Sequence, residues 1–575
     1  MFYASGLSFN FANSPYFKKY SKFLAENSIP GYIPPSYNRL RSTLLAQEKT
    51  HIDRKLQPIK GTWKKKGLSI CSDGWSDTKR RPLINIMASS SGGPMFLNSI
   101  NSSGIVKDGE YIANLFIEAI ENVGSNNVVQ VITDNASNMK LAGTIVEQKY
   151  PHIFWTPCVV HCLNLALKSM CQPSEKSPHF TNCKWILELL SEVSNLKNFV
   201  VNHDMAHALF QKHSDLCLLK VGETRFASHI IMTTRIRKVK SSLEKMVMDD
   251  EWKNYKGDKG IEAKTREIKS FIMNDEKWDS IDYFLKFTEP IVDMLRSADI
   301  DGPKLHLIYD MWDSMIEKVK KVIFEHEGKD LISGQSNFFD TIHDILVARW
   351  NKSNTPLHCM AHSLVPKYYH ESWLEGENGI RKLAPNEDSE ISLNRVKCFQ
   401  RYFKNSNEMK QASLEYGSFC SGNGYFSEPH VIDAMMYEDS LSWWANHGVS
   451  APLLQQLAYK LLTQPASSSC CERNWSTYSL IHNIKRNKLA TSRAEDLVFV
   501  HYNLRLLSRK KEKYINGPSK YWDVGGDRFD IDETTNDLTE LSIDDPQIEG
   551  VIFEEEFEDL EEVEEDVEEI ANLIK

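Results

Sequence analysis

The chain has no run approaching the roughly 18 consecutive apolar residues that a membrane-spanning helix needs. Its first twenty residues, MFYASGLSFNFANSPYFKKY, lack the basic start and apolar block of a secretory signal. Membrane and secreted classes are therefore not expected. None of the eleven cysteines forms a Cys-x-x-Cys pair, and no zinc-finger spacing of two Cys and two His occurs. A disulfide scaffold does not suit a chain of this length, which points to a reducing compartment, cytosol or nucleus. Extremes of composition are missing as well: 41% hydrophobic and 25% charged residues exclude collagen-like and wholly disordered chains. What is present is length. The 575 residues are enough for about three or four domains.

The net charge of −10 conceals a division. From Asp523 to Lys575 there are 22 Asp and Glu against 2 Lys and Arg, a net −20, which leaves residues 1–522 at +10. A mildly basic body with a strongly acidic tail is compatible with binding a polyanion.

Residues 1–65 read as a helical lead-in with aromatic and basic residues (SPYFKKYSKFL) and a break at Pro30-Gly31. From residue 66 the grammar is that of strands: GLSICSDGW, RPLINIMASS and GPMFLNSI are short apolar runs bounded by Gly, Pro and Asp. Helical spacing follows over Glu110–Val123, in Ile112, Leu115, Phe116, Ala119 and Ile120. VVQVITD then reads as a buried strand ending in Asp134. A helix runs through Leu141 and Val146, IFWTP is a strand, and HCLNLALKSM is an apolar helix. This order predicts an α/β fold over residues 66–183, a mixed sheet with helices on its faces. Residues 184–450 lose the strand signal and carry long amphipathic segments such as WILELLSEVSNLKNFV, which predicts an all-helical insertion. Residues 451–510 hold LLQQLAYKLLTQP and RAEDLVFVHYNLRLLSRKK around a polar stretch. Residues 511–575 are a linker and an acidic tail of low complexity, expected to be disordered.

Three acids stand out by position. An apolar run leads to Asp73 in GLSICSDGWSD, another ends in Asp134 in VVQVITDNASN, and a Ser-rich loop precedes Glu472 in PASSSCCERNWS, at the start of a helix. Acids at the ends of neighbouring strands, which lie only about 5 Å apart, can converge. A third from a packed helix completes a set of oxygen ligands for a hard cation such as Mg2+, or Mn2+. Two such metals roughly 3.5–4 Å apart activate a water or 3′-hydroxyl and stabilise the leaving oxygen of a phosphodiester. The plain alternative is an Asp that caps a turn or helix. It applies best to Asp77, in the turn before the next strand.

SDGWSD, TDNASN, PCVVHCLNLAL, TRFAS and PASSSCCERNWSTYSLIHNIKRNKL, in that order, resemble the hAT transposase superfamily. The strongest likeness is to plant hAT-derived proteins that carry a domain of unknown function followed by a hAT C-terminal dimerisation region. It runs from FYASGLSFNFANSPYF to HYNLRLL. The resemblance implies a ribonuclease-H-like catalytic fold, interrupted by the helical insertion and completed by residues 451–510. It places an acidic triad, catalytic and metal-binding, at Asp73, Asp134 and Glu472. It also implies a Cys-x-x-His pair at Cys158 and His161, as a structural element or a wall of the site. The family's Arg-Trp pair appears as Arg225-Phe226, where a ring on an unpaired base beside an Arg on phosphate suits DNA handling. Lys485, Arg486 and Lys488 lie where phosphates would approach.

Other readings follow from the same segments. His358 and His362, four apart in TPLHCMAHSLVPKYY, match a family segment and are expected to pack within a helix. TTRIRKVK and SRKKEK suit nuclear import, and the acidic tail suits contacts with other nuclear proteins. LLQQLAYKLL and LVFVHYNLRLL carry more apolar side chains than one helix face needs, and the family places a dimer contact here. Leu497 and Phe499 are expected to carry it, giving a homodimer or higher oligomer. No Cys/His array precedes Asp73, where the family often has a BED-type zinc finger, so sequence-specific docking is expected to be absent or supplied by a partner. Two functions remain open: a metal-dependent DNA transposase or nuclease, and a domesticated, non-catalytic dimeric scaffold or transcription regulator.

Overall fold

A computed structural model of the chain describes residues 11–12, 14–27, 29–77, 80–218, 228–253, 259–376, 381–481 and 489–509. The first helices lead into the sheet. α1 (Pro15–Glu26) takes Pro in its first turn and buries none of its residues. α2 (Leu45–Lys66) buries Ile52, Leu56, Ile59 and Trp63, one stripe at helical spacing. Gly67 ends α2 at φ 68°, and a Cβ there would stand 2.6 Å from Val129 Cγ2. Left-handed backbone and close approach both require glycine at this corner.

β1 (Leu68–Ser76), β2 (Pro82–Ser89) and β3 (Met95–Asn101) form an antiparallel meander. β4 (Val128–Thr133) pairs in parallel with the other side of β1, and β5 (Phe154–Pro157) in parallel with β4, giving the order β3-β2-β1-β4-β5. Every residue of β4 is buried, as in a strand covered on both faces. α3 (Gly109–Val123) and α4 (Ser137–Lys149) link β3 to β4 and β4 to β5, and α5 (Val159–Cys171) follows β5. Asp108 caps α3 by accepting the Tyr111 N–H at 2.8 Å. The fold is mixed α/β, as the order of apolar runs predicts.

Between residues 180 and 461 every described element is helical. The longest are α6 (Phe180–Asn202), α7 (Asp275–Asp299), α8 (Ile308–His326) and α9 (Asn337–Ser353). One apolar core runs from the sheet through these helices to the C-terminal ones. A second gathers around Phe419, Trp443 and Trp444 and takes Val129 and Phe154 from the sheet.

The chain returns through α10 (Pro452–Leu461), α11 (Ser469–Ile481) and α12 (Thr491–Arg509). α12 packs along α2 and β3, and its fully buried Asn503 closes the free edge of β3. The Phe96 N–H donates to Asn503 Oδ1 at 3.1 Å, and Asn503 Nδ2 donates to the Phe96 carbonyl at 3.0 Å. A single amide thus supplies what a neighbouring strand would. Phe499 and Leu497, expected to carry a dimer contact, sit on α12. Phe499 is buried inside its own chain, with Lys49 Nζ 5.3 Å from its ring centre, and Leu497 is partly buried. Much of the apolar surplus of α12 covers α2 and β3, while Leu497, Val500 and Leu504 stay partly buried.

Replacing Asn503 with Leu removes both hydrogen bonds and leaves two buried backbone groups unpaired. The expected loss is about 2–4 kcal/mol, read as a lower urea midpoint with unchanged slope.

Candidate functional site

Alternate side chains of β1 share one face, and four of them are met by the segment 464–475. Ser69 Oγ donates to Gln464 Oε1 at 2.9 Å, and Cys71 Sγ to the Ser467 carbonyl at 3.8 Å. Trp475 Nε1 donates to Asp73 Oδ2 at 2.9 Å, and the Trp75 and Trp475 rings stack with centres 5.2 Å apart. From β2, Asn85 Nδ2 donates to the Cys471 carbonyl at 2.9 Å. These contacts seat the first turn of α11, which carries Glu472, against the middle of β1 and β2, where Asp73 and Asn85 pair.

Asp73 and Asp134 stand level across neighbouring strands. β1 and β4 are in register at Ile70–Val131 and Cys71–Ile132, so two residues further along Asp73 faces Asp134, just past the end of β4. Asp134 Oδ1 accepts the Ala136 N–H at 3.2 Å, ahead of α4. Burial raises the Asp73 carboxyl to about 7, the Trp475 N–H opposes that shift, and the charge of Asp134 adds to it. Glu472 is pushed well above the usual carboxylate range, first by burial, then by the charges of Asp73 and Asp299. The three acids are thus linked electrically through Asp73.

Neighbouring groups hold Glu472 in place. Arg473 donates to the Asp299 carbonyl at 2.9 Å and to its carboxylate at 3.1 Å, and pairs with Asp301. This ties α11 to the end of α7. Ser467 Oγ donates to the Ala298 carbonyl at 3.0 Å. Cys158 is buried; its Sγ accepts the Ser468 N–H at 3.4 Å and its own N–H donates to the Thr133 carbonyl at 2.8 Å. Burial and then the charge of Glu472 push the Cys158 thiol up to about 12. It is a wall of the site in its neutral form. His161 lies one turn along α5, partly buried.

Carboxylate oxygens of raised proton affinity fit a hard divalent cation in kind. In arrangement they do not form a shell: among the described residues no group of three or more His, Cys, Asp and Glu side chains is set to hold a metal ion. Asp77 takes the turn position, its carboxylate accepting the Arg81 N–H at 2.9 Å and the Arg81 Nε at 2.8 Å. His358 and His362 are buried in the helix Pro356–Ser363, and burial pulls them down to about 4 and about 3. Arg225, Phe226, Lys485, Arg486, Lys488 and the acidic tail lie outside the described residues. Sequence reasoning missed Trp475, Arg473 and Asn85. An aromatic three residues after Glu472, and so on its side of the helix, was the available signal for Trp475.

Two family models match the chain. Residues 35–196 match the domain of unknown function DUF659, and residues 422–504 match the hAT family C-terminal dimerisation region. The first holds the sheet with Asp73, Asp134, Cys158 and His161; the second holds Glu472. The second match likens the C-terminal part of the chain to the hAT family. The chain is also similar to tpeD of Talaromyces stipitatus, which carries the provisional name of a transcriptional regulator, with 20% identity over 440 residues. That likeness covers 68% of this chain and 47% of tpeD, so the chain spans about half the length of this curated relative.

The Asp73 proton gives a pH test. Its folded value of about 7 exceeds the ordinary 3.8, so between those values the folded chain keeps a proton that the unfolded chain has lost. Stability therefore falls as pH rises through this window. Relative to wild type, Asp73→Asn should remove a loss of at most about 4 kcal/mol between pH 4 and 7, measured by urea titration. Trp475→Phe deletes the N–H that stabilises the carboxylate and should move the upper limit of the window to higher pH.

Proposed function

We propose that the chain is a transposase-derived, DNA-binding protein of the nucleus that acts as a dimer. In this reading Asp73, Asp134 and Glu472 bind Mg2+ or Mn2+ where a DNA strand is presented for cleavage and transfer. The observation that carries the reading is the electrostatic contact of Asp73, on β1, with both Asp134, just past the end of the neighbouring parallel strand, and Glu472, on α11. The order β3-β2-β1-β4-β5, with the first three strands antiparallel and the last two parallel, supports a ribonuclease-H-like sheet. A basic surface supports contact with a polyanion: residues 15–66 hold twelve Lys and Arg against three Asp and Glu. The likeness to tpeD favours a second reading, a transcription regulator that keeps the acids and binds DNA without cutting it.

Cation binding and cutting separate the two readings. Mn2+ should raise the melting temperature of the wild type, by about 2.7 kcal/mol of stabilisation at a hundredfold excess over Kd, and should not do so for Asp134→Asn or Glu472→Gln. Cleavage of DNA ends that needs the same residues supports the enzyme. Cation binding without cleavage supports the regulator, and no cation effect removes the metal site from both.

The dimer contact is testable within the matched region 422–504. Its exposed apolar side chains include Ile432, Met436, Tyr437 and Val449 (37%, 39%, 73% and 76% exposed), the first three on the helix Pro429–Tyr437. Met436→Asp with Tyr437→Asp should yield monomers in sedimentation and leave the thermal melt of the chain nearly unchanged. Phe499→Asp should instead unfold it, by several kcal/mol.

A further inference from the structure

α1 carries three lysines, of which Lys22 pairs with Glu26 at 3.6 Å, and is exposed over its second half. Every residue from Lys18 to Asn27 is exposed, and Tyr20, Phe23 and Leu24 (53%, 55% and 37% exposed) stand among Lys18, Lys19 and Lys22. Tyr32, Ile33, Tyr37 and Leu40 continue the exposed apolar surface. So dense a cluster on a chain surface usually marks an interface. The twelve Lys and Arg against three Asp and Glu of residues 15–66 supply +9 of the +10 carried by residues 1–522.

The complementary partner is at the other end of the chain. Between residues 551 and 575, Phe553, Phe557, Leu560, Val563, Val567, Ile570 and Ile574 recur at spacings of three and four, among twelve Asp and Glu and one Lys. Such spacing puts the apolar residues on one face of a helix and the acids on the others. α1 lies beside the end of α12: Tyr16 OH donates to the Leu504 carbonyl at 3.5 Å, one to two turns before α12 ends at Arg509. From there 41 residues of sequence, 510–550, lead to the acidic segment, a length of chain ample to reach back to α1.

We propose that residues 551–575 dock as an amphipathic segment on α1 and the Tyr32–Leu40 stretch of the same chain. Phe557, Leu560 and their neighbours cover Tyr20, Phe23 and Leu24, and the flanking acids meet the lysines. The docked tail occupies the basic surface that a nucleic acid would use. The docking itself does not depend on DNA binding.

Carbodiimide cross-linking of the full chain, mapped by mass spectrometry, tests this. The expected links join Lys18, Lys19 or Lys22 to Glu554–Glu569. They should fall roughly tenfold in Phe557→Asp and in Phe23→Ser, because the apolar contact is lost. Phe557→Asp adds a negative charge, so undiminished or increased links in that variant would show attraction by charge alone and overturn the docking. Links spread evenly over lysines elsewhere, such as Lys318, Lys320 and Lys321, would overturn the site. Mixing isotope-labelled and unlabelled chains identifies the occupant: links within one label support the chain's own tail, and links between labels overturn it in favour of a second copy. Phe23 is exposed, so Phe23→Ser should melt like the wild type; a lowered melt would place Phe23 in the folded core and overturn its assignment to the docking face.

Discussion

The architecture depends on one pairing of period two. The face of β1 that shows Ser69, Cys71, Asp73 and Trp75 is met residue by residue by Gln464, Ser467 and Trp475. Each contact is modest, a neutral hydrogen bond contributing about 1 kcal/mol net. Together they join segments about 400 residues apart. The same stretch reaches away from the sheet as well, through Ser467 to Ala298 and Arg473 to Asp299 and Asp301. Sheet, insertion and C-terminal helices therefore meet at a single length of chain. A disturbance there loosens all three.

Electrostatics work against that assembly. Asp73 and Glu472 are both raised by burial, and the neighbouring acid charge raises each further. A cluster optimised for stability would not place them together. The opposing groups are few: the Trp475 N–H on Asp73, and the guanidinium of Arg473 beside Glu472. Arg473 itself is committed to Asp299 and Asp301. Such a balance favours protons on Asp73 and Glu472.

Much of the α/β order is legible because buried strands are short apolar runs and their ends are marked by Gly, Pro or Asp. β1 to β5 and α3 to α5 can be read in that way. Register cannot, because the alternation within VVQVIT is hidden when both faces are buried. Asp73 and Asp134 are visible as acids closing apolar runs, whereas their level placement is a property of pairing. Trp475 is harder, since its partner is 402 residues away. Phe499 shows the other limit. An apolar surplus on a helix says that a second surface must be covered, and does not say whether that surface belongs to the same chain. Asn503 was in principle visible as a polar residue interrupting an apolar stretch, but its meaning needs the bare edge of β3 beside it.

The division of the acids along the chain has a consequence in time. Asp73 and Asp134 precede Glu472 by more than 330 residues. At ribosomal rates of about 5–20 residues per second, that separation is on the order of 20–70 s. Throughout that interval the nascent sheet holds two acids of the trio and lacks the third. Its β3 edge also waits for Asn503, some 30 residues later still, so an unsealed edge is open to neighbouring chains on the same polysome. The acidic centre and the β3 edge are thus both incomplete over nearly the same period of synthesis, and each is completed within seconds of the other.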